Sequence, residues 1–249
     1  MSESFYKKIS EYYDYIFPVG MEQLLYIKNA CAKRNCVIFD IACGTGGYSI
    51  ALSKEGHKLL ALDLDRAMVE KAKMKIAENK KLFETLNIEV AEGSMLEISD
   101  VFREKGDLLF CIGNSIAHLN NLEDVRQFLT EVKKSLKPGG CAIFQIINFD
   151  RVFSNNISSL PTLRNEEIGL IFERNYYFDK ENGKVLFNTI LFVEEQRIEN
   201  TISLYPLLAD DFKKLLNETG YTAFEMYGDF NETKYEKDSS FMLVIKATI

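Results

Sequence analysis

Apolar positions in the first part of this chain follow two alternating rhythms. Short, mostly apolar runs at 37–41, 58–62, 88–91, 108–112 and 141–147 have the length of strands, and the last is nearly continuous, as for a strand buried on both faces. Between them, apolar residues recur at three- and four-residue spacing. One such series is Met68, Val69, Ala72, Ile76 and Ala77; another is Leu122, Val125, Leu129, Val132 and Leu136. This alternation predicts a parallel sheet covered by helices on both faces. Two further helices are expected at 4–17 and 21–33, separated by Pro18 and Gly20. Asp65 is placed to cap the helix after the second strand. Lys137-Pro138-Gly139-Gly140 predicts a turn between the helix at 121–136 and the fifth strand.

Beyond residue 148 the rhythm changes. Segments 168–178, 184–193 and 197–204 are β-rich, and Asn182-Gly183 between the first two is a hairpin signal. They predict an antiparallel meander, followed by a helix at 210–219 and two closing strands at 224–227 and 241–246. The expected fold class is therefore α/β: a doubly wound, Rossmann-like, mostly parallel seven-stranded sheet with an inserted antiparallel β meander. Residues 1–147 and 205–249 form the sheet domain, and 148–204 the insert. There is no internal repeat and no low-complexity tract.

Composition narrows the function. A chain of 249 residues, 47% hydrophobic and 27% charged, can bury a full core. A net charge of -7 argues against a nucleic-acid partner, which needs clustered cations. The pairs Lys7-Lys8, Lys80-Lys81 and Lys133-Lys134 read as solvated helix faces. No apolar run approaches the ~20 residues of a membrane span, and the amino terminus carries no apolar leader, so no membrane partner is expected. The five cysteines form no CxxC pair and read as free thiols in a reducing, cytoplasmic setting, with no metal site.

The candidate chemistry starts where the first apolar run ends in Asp40 and meets a turn containing Gly44, Gly46 and Gly47. Glycines there let backbone approach a ligand beside a helix N-terminus. The carboxylate decides the ligand's sign, since Asp40 repels a pyrophosphate and attracts a cation. At ~4 Å and an effective dielectric of 20 that attraction is about 4 kcal/mol before desolvation. The dinucleotide fingerprint also fails, because Ser49 holds its third glycine position. Asp63 ends the second run, where a carboxylate can accept both hydroxyls of a ribose. Ser94 and Met95 follow the third strand. They supply either a polar contact and a soft face for an adenine, or an ordinary turn with a core methionine.

The ordered motifs DIACGTGG, LALDLD, AEGSM, LLFCIGNSIAHL and LKPGG resemble those of the class I S-adenosylmethionine-dependent methyltransferases, over most of the chain from about Tyr12 onward. The resemblance implies S-adenosyl-L-methionine as cofactor. It implies that Asp40, Ala42, Gly44 and the Gly46 turn shape the methionyl pocket, that Asp63 with Leu64 holds the ribose, that Ser94 and Met95 flank the adenine, and that Ile112 lies near the reactive centre. Ala42 stands where many members carry glycine. Residues 111–119 closely resemble the GNS-x-x-HL stretch of glycine and sarcosine N-methyltransferases. That makes Asn114 an acceptor ligand and His118 a candidate to position the acceptor or take its proton; a structural histidine is the competing reading. Asn148-Phe149-Asp150-Arg151 resembles the same group.

Arg174 is a candidate to bind an acceptor carboxylate bidentately, against the commoner reading of an exposed strand arginine in a salt bridge. Tyr13-Asp14 matches a pair that closes over the cofactor in related enzymes, whereas Tyr6, Tyr12 and Tyr15 read as packing. His57 reads as structural. The expected activity is methyl transfer to a nitrogen or oxygen of a small-molecule acceptor, with the β-rich insert as its lid and a candidate homodimer contact. A non-catalytic S-adenosylmethionine sensor and an NAD-dependent oxidoreductase remain as alternatives.

Overall fold

The computed structural model describes residues 9–31 and 33–249. In chain order the strands are β1 (Val37–Ile41), β2 (Lys58–Asp63), β3 (Asn87–Glu92), β4 (Gly106–Cys111), β5 (Leu136–Ile147), β6 (Ser159–Asn165), β7 (Leu170–Asp179), β8 (Lys184–Val193), β9 (Gln196–Leu204), β10 (Ala223–Tyr227) and β11 (Met242–Thr248). Seven of them form one sheet in the order β10–β11–β5–β4–β1–β2–β3, and β6–β7–β8–β9 form a second. The first sheet is parallel except for β11, which runs antiparallel to both β5 and β10. Strand order reverses between β1 and β4, which puts the switch point beside the turn after β1.

Side-chain alternation divides the core. Phe39, Leu60, Leu109 and Phe144 point to one face, beneath helices Leu122–Ser135 and Ala209–Glu218. Ile38, Leu59, Leu108 and Ile143 point to the other, where Tyr26, Ile27 and Leu52 cover them. Each such fully buried side chain stabilises the fold by roughly 1.5–3 kcal/mol. Helix Arg66–Lys80 buries Met68, Val69, Ala72 and Ile76, while Ala77 is exposed. The Asp65 carboxylate caps that helix by accepting from the Ala67 and Met68 amides, as its position predicts.

Several elements differ from expectation. Of the amino-terminal helix expected at 4–17, the described part contains helix Tyr13–Ile16, and residues 4–8 with Tyr6 and the pair Lys7-Lys8 lie outside the described residues. The next helix is Met21–Ala30 rather than 21–33, with Ala32 also outside the described residues. The 137–140 turn is absorbed into β5: Leu136 already pairs with Gly106, and a register shift carries the extra residues before Cys141 pairs with Leu108. The insert has four strands, not three. Pro161 hid β6 in the sequence, and an edge strand tolerates a proline because one side of its ladder is unpaired.

The inner face of the second sheet packs against Ile9, Ile16 and Met68 in one cluster and against Ala117, Ile147 and Phe149 in another. It thereby stands over the carboxyl ends of the parallel strands. At the opposite edge, Cys31, Cys36 and His57 bring their ligating atoms within 4.8 Å of one another, and His57 Nδ1 accepts the Cys36 amide at 3.2 Å. Spacing alone gave no hint of that cluster, because two loops assemble it. No helix among the described residues is long and apolar enough to cross a membrane.

Candidate active site

β1 delivers Asp40 to the switch point almost fully buried, at 4% exposure. Its Oδ2 accepts from the Ser49 hydroxyl at 2.6 Å. Ser49, the residue that breaks the dinucleotide fingerprint, is thus committed to the carboxylate. Burial pushes Asp40 up to about 7 against the opposing Ser49 hydrogen bond, and the nearby Asp63 adds to the rise. A cation in this site would favour the ionised form and reverse the shift.

The pH dependence follows. Cofactor affinity is expected to strengthen about tenfold between pH 5.5 and 7.5 and then level off, because below about 7 binding a cation must first displace a proton. Titration calorimetry across that range checks this; a flat profile that an Asp40→Asn variant also shows would refute it. For the empty protein the sign is opposite. The raised carboxyl pKa stabilises the fold at low pH, and that contribution is lost as pH rises through about 7.

Ala42 follows with φ +59°, a left-handed conformation that costs a non-glycine residue about 1 kcal/mol. Its place in the motif carries this strain in full, so Ala42→Gly is expected to raise unfolding stability by about 1 kcal/mol in urea titration. Gly44 has φ +55°, and a Cβ there would lie 3.1 Å from the Tyr13 ring and hydroxyl, so only hydrogen fits under Tyr13. Gly46, at φ +75°, lines neither cavity described below. A Cβ there would meet Ala72 at 3.3 Å, so it serves the packing of helix Arg66–Lys80.

Two cavities meet along this turn. The first, about 290 Å³, is lined by Ala42, Gly44, Asp63, Leu64, Ser94 and Met95 among others. Asp63 Oδ2 accepts the Gly44 amide at 2.7 Å and Oδ1 accepts the Asp65 amide at 2.9 Å. Burial raises its carboxyl even so, and these backbone bonds oppose the rise. Each oxygen keeps a lone pair for a ligand hydroxyl. Ser94 Oγ accepts from the Leu96 amide at 3.1 Å, so the serine caps a short 3₁₀ turn and still faces the cavity. Met95 packs on the main core and borders the same space, so both readings of this pair describe the same geometry.

The second cavity, about 420 Å³, is lined by Asp40, Ala42, Ile112, Asn114, His118 and Arg174 among others. Tyr13, Ala42 and His118 border both cavities. Asn114, at φ +66°, accepts the Ile147 amide on Oδ1 at 2.9 Å. Its N–H groups and the second lone pair of Oδ1 are left to offer a ligand. Gln145 answers from β5 by accepting the Gly113 amide at 2.7 Å. This pair ties the loop after β4 to β5. Gln145 itself escaped the sequence reading, although one polar residue within the run CAIFQII was its signal. His118 opens onto the cavities with protein around the rest of its ring, and that desolvation holds its imidazole down to about 4.

Tyr13 is held in place by its neighbour. Asp14 accepts from both the Thr45 hydroxyl and the Lys75 ammonium, fixing the amino-terminal segment to the turn. Tyr12 instead donates to Glu194 at 3.2 Å and Tyr15 is exposed, so neither borders a cavity. The 148–151 stretch is likewise structural. Asn148 bonds the Lys237 and Ser240 carbonyls, and Asp150 accepts the Ala209 amide at 2.9 Å.

Arg174 departs from its commoner reading. On β7, Leu170, Phe172 and Tyr176 alternate inward and are buried, and Arg174 lies in the same series. Its guanidinium donates to the Pro161 carbonyl at 2.6 Å, but Nε is buried with no hydrogen-bond partner. Among the described residues no carboxylate forms an ion pair with it. Burial lowers its pKa. A partly buried cation with an unspent donor is costly unless an anion joins it.

The arrangement suits the cofactor that the motifs imply. The first cavity offers a carboxylate for hydroxyls and a methionine for a flat ring, and the second begins at an anion matched to a sulfonium and an ammonium. Known proteins agree. A methyltransferase-domain family model matches residues 38–140. The chain is 27% identical over 225 residues to the glycine/sarcosine N-methyltransferase of Aphanothece halophytica, covering 87% of this chain and 77% of that protein. It is 29% identical over 223 residues to the glycine/sarcosine/dimethylglycine N-methyltransferase of Actinopolyspora halophila, covering 89% of this chain but 38% of that one. Among solved structures, an S-adenosylmethionine-dependent methyltransferase from Clostridium acetobutylicum ATCC 824 has a TM-score of 0.78 at 18% identity, covering 99% of each chain.

Proposed function

We propose that this chain, which its domain match and fold identify as a class I S-adenosylmethionine-dependent methyltransferase, methylates the amine nitrogen of a small acceptor that carries a carboxylate. The observation that carries this reading is Arg174, an inward, partly buried guanidinium without a carboxylate partner in the cavity that begins at Asp40. A carboxylate paired with the guanidinium would neutralise the charge. Asn114 lines the same cavity and can donate its side-chain N–H groups to an acceptor oxygen. The named activities of the Aphanothece and Actinopolyspora proteins support nitrogen as the nucleophile.

The cofactor supplies a methyl group already activated by the sulfonium charge. The protein's part is therefore placement and exclusion of water, which accounts for ~7–11 kcal/mol of barrier lowering in well-oriented reactions. In this reading Asp40, Ala42 and Gly44 hold the methionyl end, Asp63 and Leu64 the ribose, and Ser94 and Met95 the adenine. Ile112 and Asn114 border the reacting atoms, Tyr13 closes over the turn, and the 148–204 segment forms the acceptor's lid. His118, held near 4, is too weak a base to strip an ammonium at pH 7, so its part is to hydrogen-bond and shape the wall. The amine has to arrive deprotonated.

The test is product analysis with S-adenosylmethionine and a panel of amino acids, each paired with its decarboxylated amine. S-adenosylhomocysteine release with an N-methylated amino acid is expected. Methylation confined to the decarboxylated amines, or to hydroxyl oxygens, would defeat the proposal.

A further inference from the structure

We infer that the acceptor's carboxylate is attached to an apolar body: the substrate class is an α-amino acid with an aliphatic or aromatic side chain, and glycine is a poor fit. The inference rests on the carboxylate reading of Arg174 and concerns what surrounds that residue.

Register across the second sheet sets Arg174 opposite Thr189, and Thr189 opposite Asn200. This polar row crosses the inner face between two apolar rows, Phe172–Leu191–Ile198 on one side and Tyr176–Phe187–Ile202 on the other. Each row belongs to a separate apolar cluster. Leu160, Phe172, Tyr176 and Phe187 line the second cavity around the guanidinium, with Phe17 and Phe241 at its other walls. Phe17 meets Phe172 edge-on at 5.7 Å, and Tyr176 meets Phe187 at 5.5 Å. Arg174 is the one cationic side chain among the described residues that line this cavity.

A wall of this kind has one anion-binding point within an aromatic surround. In about 420 Å³ shared with the methionyl arm, an acid of five heavy atoms leaves most of the aromatic surface facing water. A side chain that covers that surface gains about fourfold per methylene buried, so four added carbons amount to roughly 250-fold. The chemistry is unchanged by the side chain. The neutral amine's lone pair forms the N–C bond as the sulfonium C–S bond breaks. The thioether leaves with that electron pair, and the resulting ammonium releases its proton to water.

The experiment measures kcat/KM by S-adenosylhomocysteine release for glycine, sarcosine, alanine, leucine and phenylalanine, together with isoamylamine and phenethylamine as carboxylate-free partners of the last two. Leucine or phenylalanine is expected to exceed glycine by roughly 250-fold or more, mostly through KM. In Phe187→Ala the ratio of leucine to glycine kcat/KM should fall about tenfold. Glycine or sarcosine as the best acceptor overturns the inference and leaves the carboxylate reading standing. Equal turnover of the carboxylate-free amines overturns that reading and the inference with it, as does the absence of product across the panel.

Discussion

Arg174→Met is expected to lower kcat/KM for a carboxylate acceptor by about 10²–10³-fold, the usual loss when one partner of a desolvated, hydrogen-bonded charge pair is removed. The same substitution is expected to raise the stability of the ligand-free protein by about 1 kcal/mol or more, since it replaces a partly buried, unpaired cation with an apolar chain of similar length. These opposite signs give the prediction its force. A structural arginine would lose stability and activity together when replaced, whereas a ligand-binding one loses activity alone. The alternation on β7 supports the stability half, because methionine at 174 would continue the buried series of Leu170, Phe172 and Tyr176. Calorimetric affinity for S-adenosylmethionine should stay within about twofold, because in the proposed reading Arg174 meets the acceptor and not the cofactor. A destabilised variant, or one that keeps full turnover, would refute the assignment.

Asp63→Ala is expected to weaken S-adenosylmethionine binding by about 10²–10³-fold. Two hydrogen bonds from ribose hydroxyls to a carboxylate, at about 1.5–3 kcal/mol each, would give that loss or more. The structure adds a second cost. Asp63 accepts the amides of Gly44 and Asp65, so the alanine variant also removes one tie between the turn after β1 and β2, leaving the Cys43 amide on the Leu62 carbonyl. Asp63→Asn separates the effects, because one amide oxygen can still accept the Gly44 N–H while the charge is gone. Its stability should recover by at least half of the alanine loss, with cofactor affinity still reduced at least tenfold. Wild-type affinity in Asp63→Ala would remove the ribose from this carboxylate altogether.

Much of the parallel sheet was legible because its strands are continuous apolar runs whose alternative is a helix of greater length. Asp40 and Asp63 stood out as charges at the ends of such runs. The Asp65 cap and the Asn182-Gly183 hairpin were readable because each acts within a few residues. What could not be read depends on contacts far apart in sequence. β6 carries Pro161 and weak alternation, and pairing with β7 makes it a strand. Gln145 looked like an irregularity in β5 until the loop after β4 folded back onto it. Arg174 was read correctly as a residue type and incorrectly as to setting. A surface salt bridge is the commoner fate of a strand arginine, and only the packing of the inner face shows which side of β7 it takes. Gly46 shows a contact its motif did not signal: an added Cβ there would meet Ala72 of a neighbouring helix.

The two cavities share Tyr13, Ala42 and His118 but draw most of their remaining walls from different parts of the chain. Hydrogen bonds at the first come from the turns after β1, β2 and β3, whereas the far wall of the second is the inner face of a separate sheet. Descent with modification can therefore act on the two halves at different rates. In the proposed reading, exchanges at 160, 172, 176 or 187 would retune what is methylated without disturbing the ties between Asp40 and Ser49 and between Gly44 and Asp63. A lineage built on this plan can acquire new acceptors while inheriting its methyl donor unchanged.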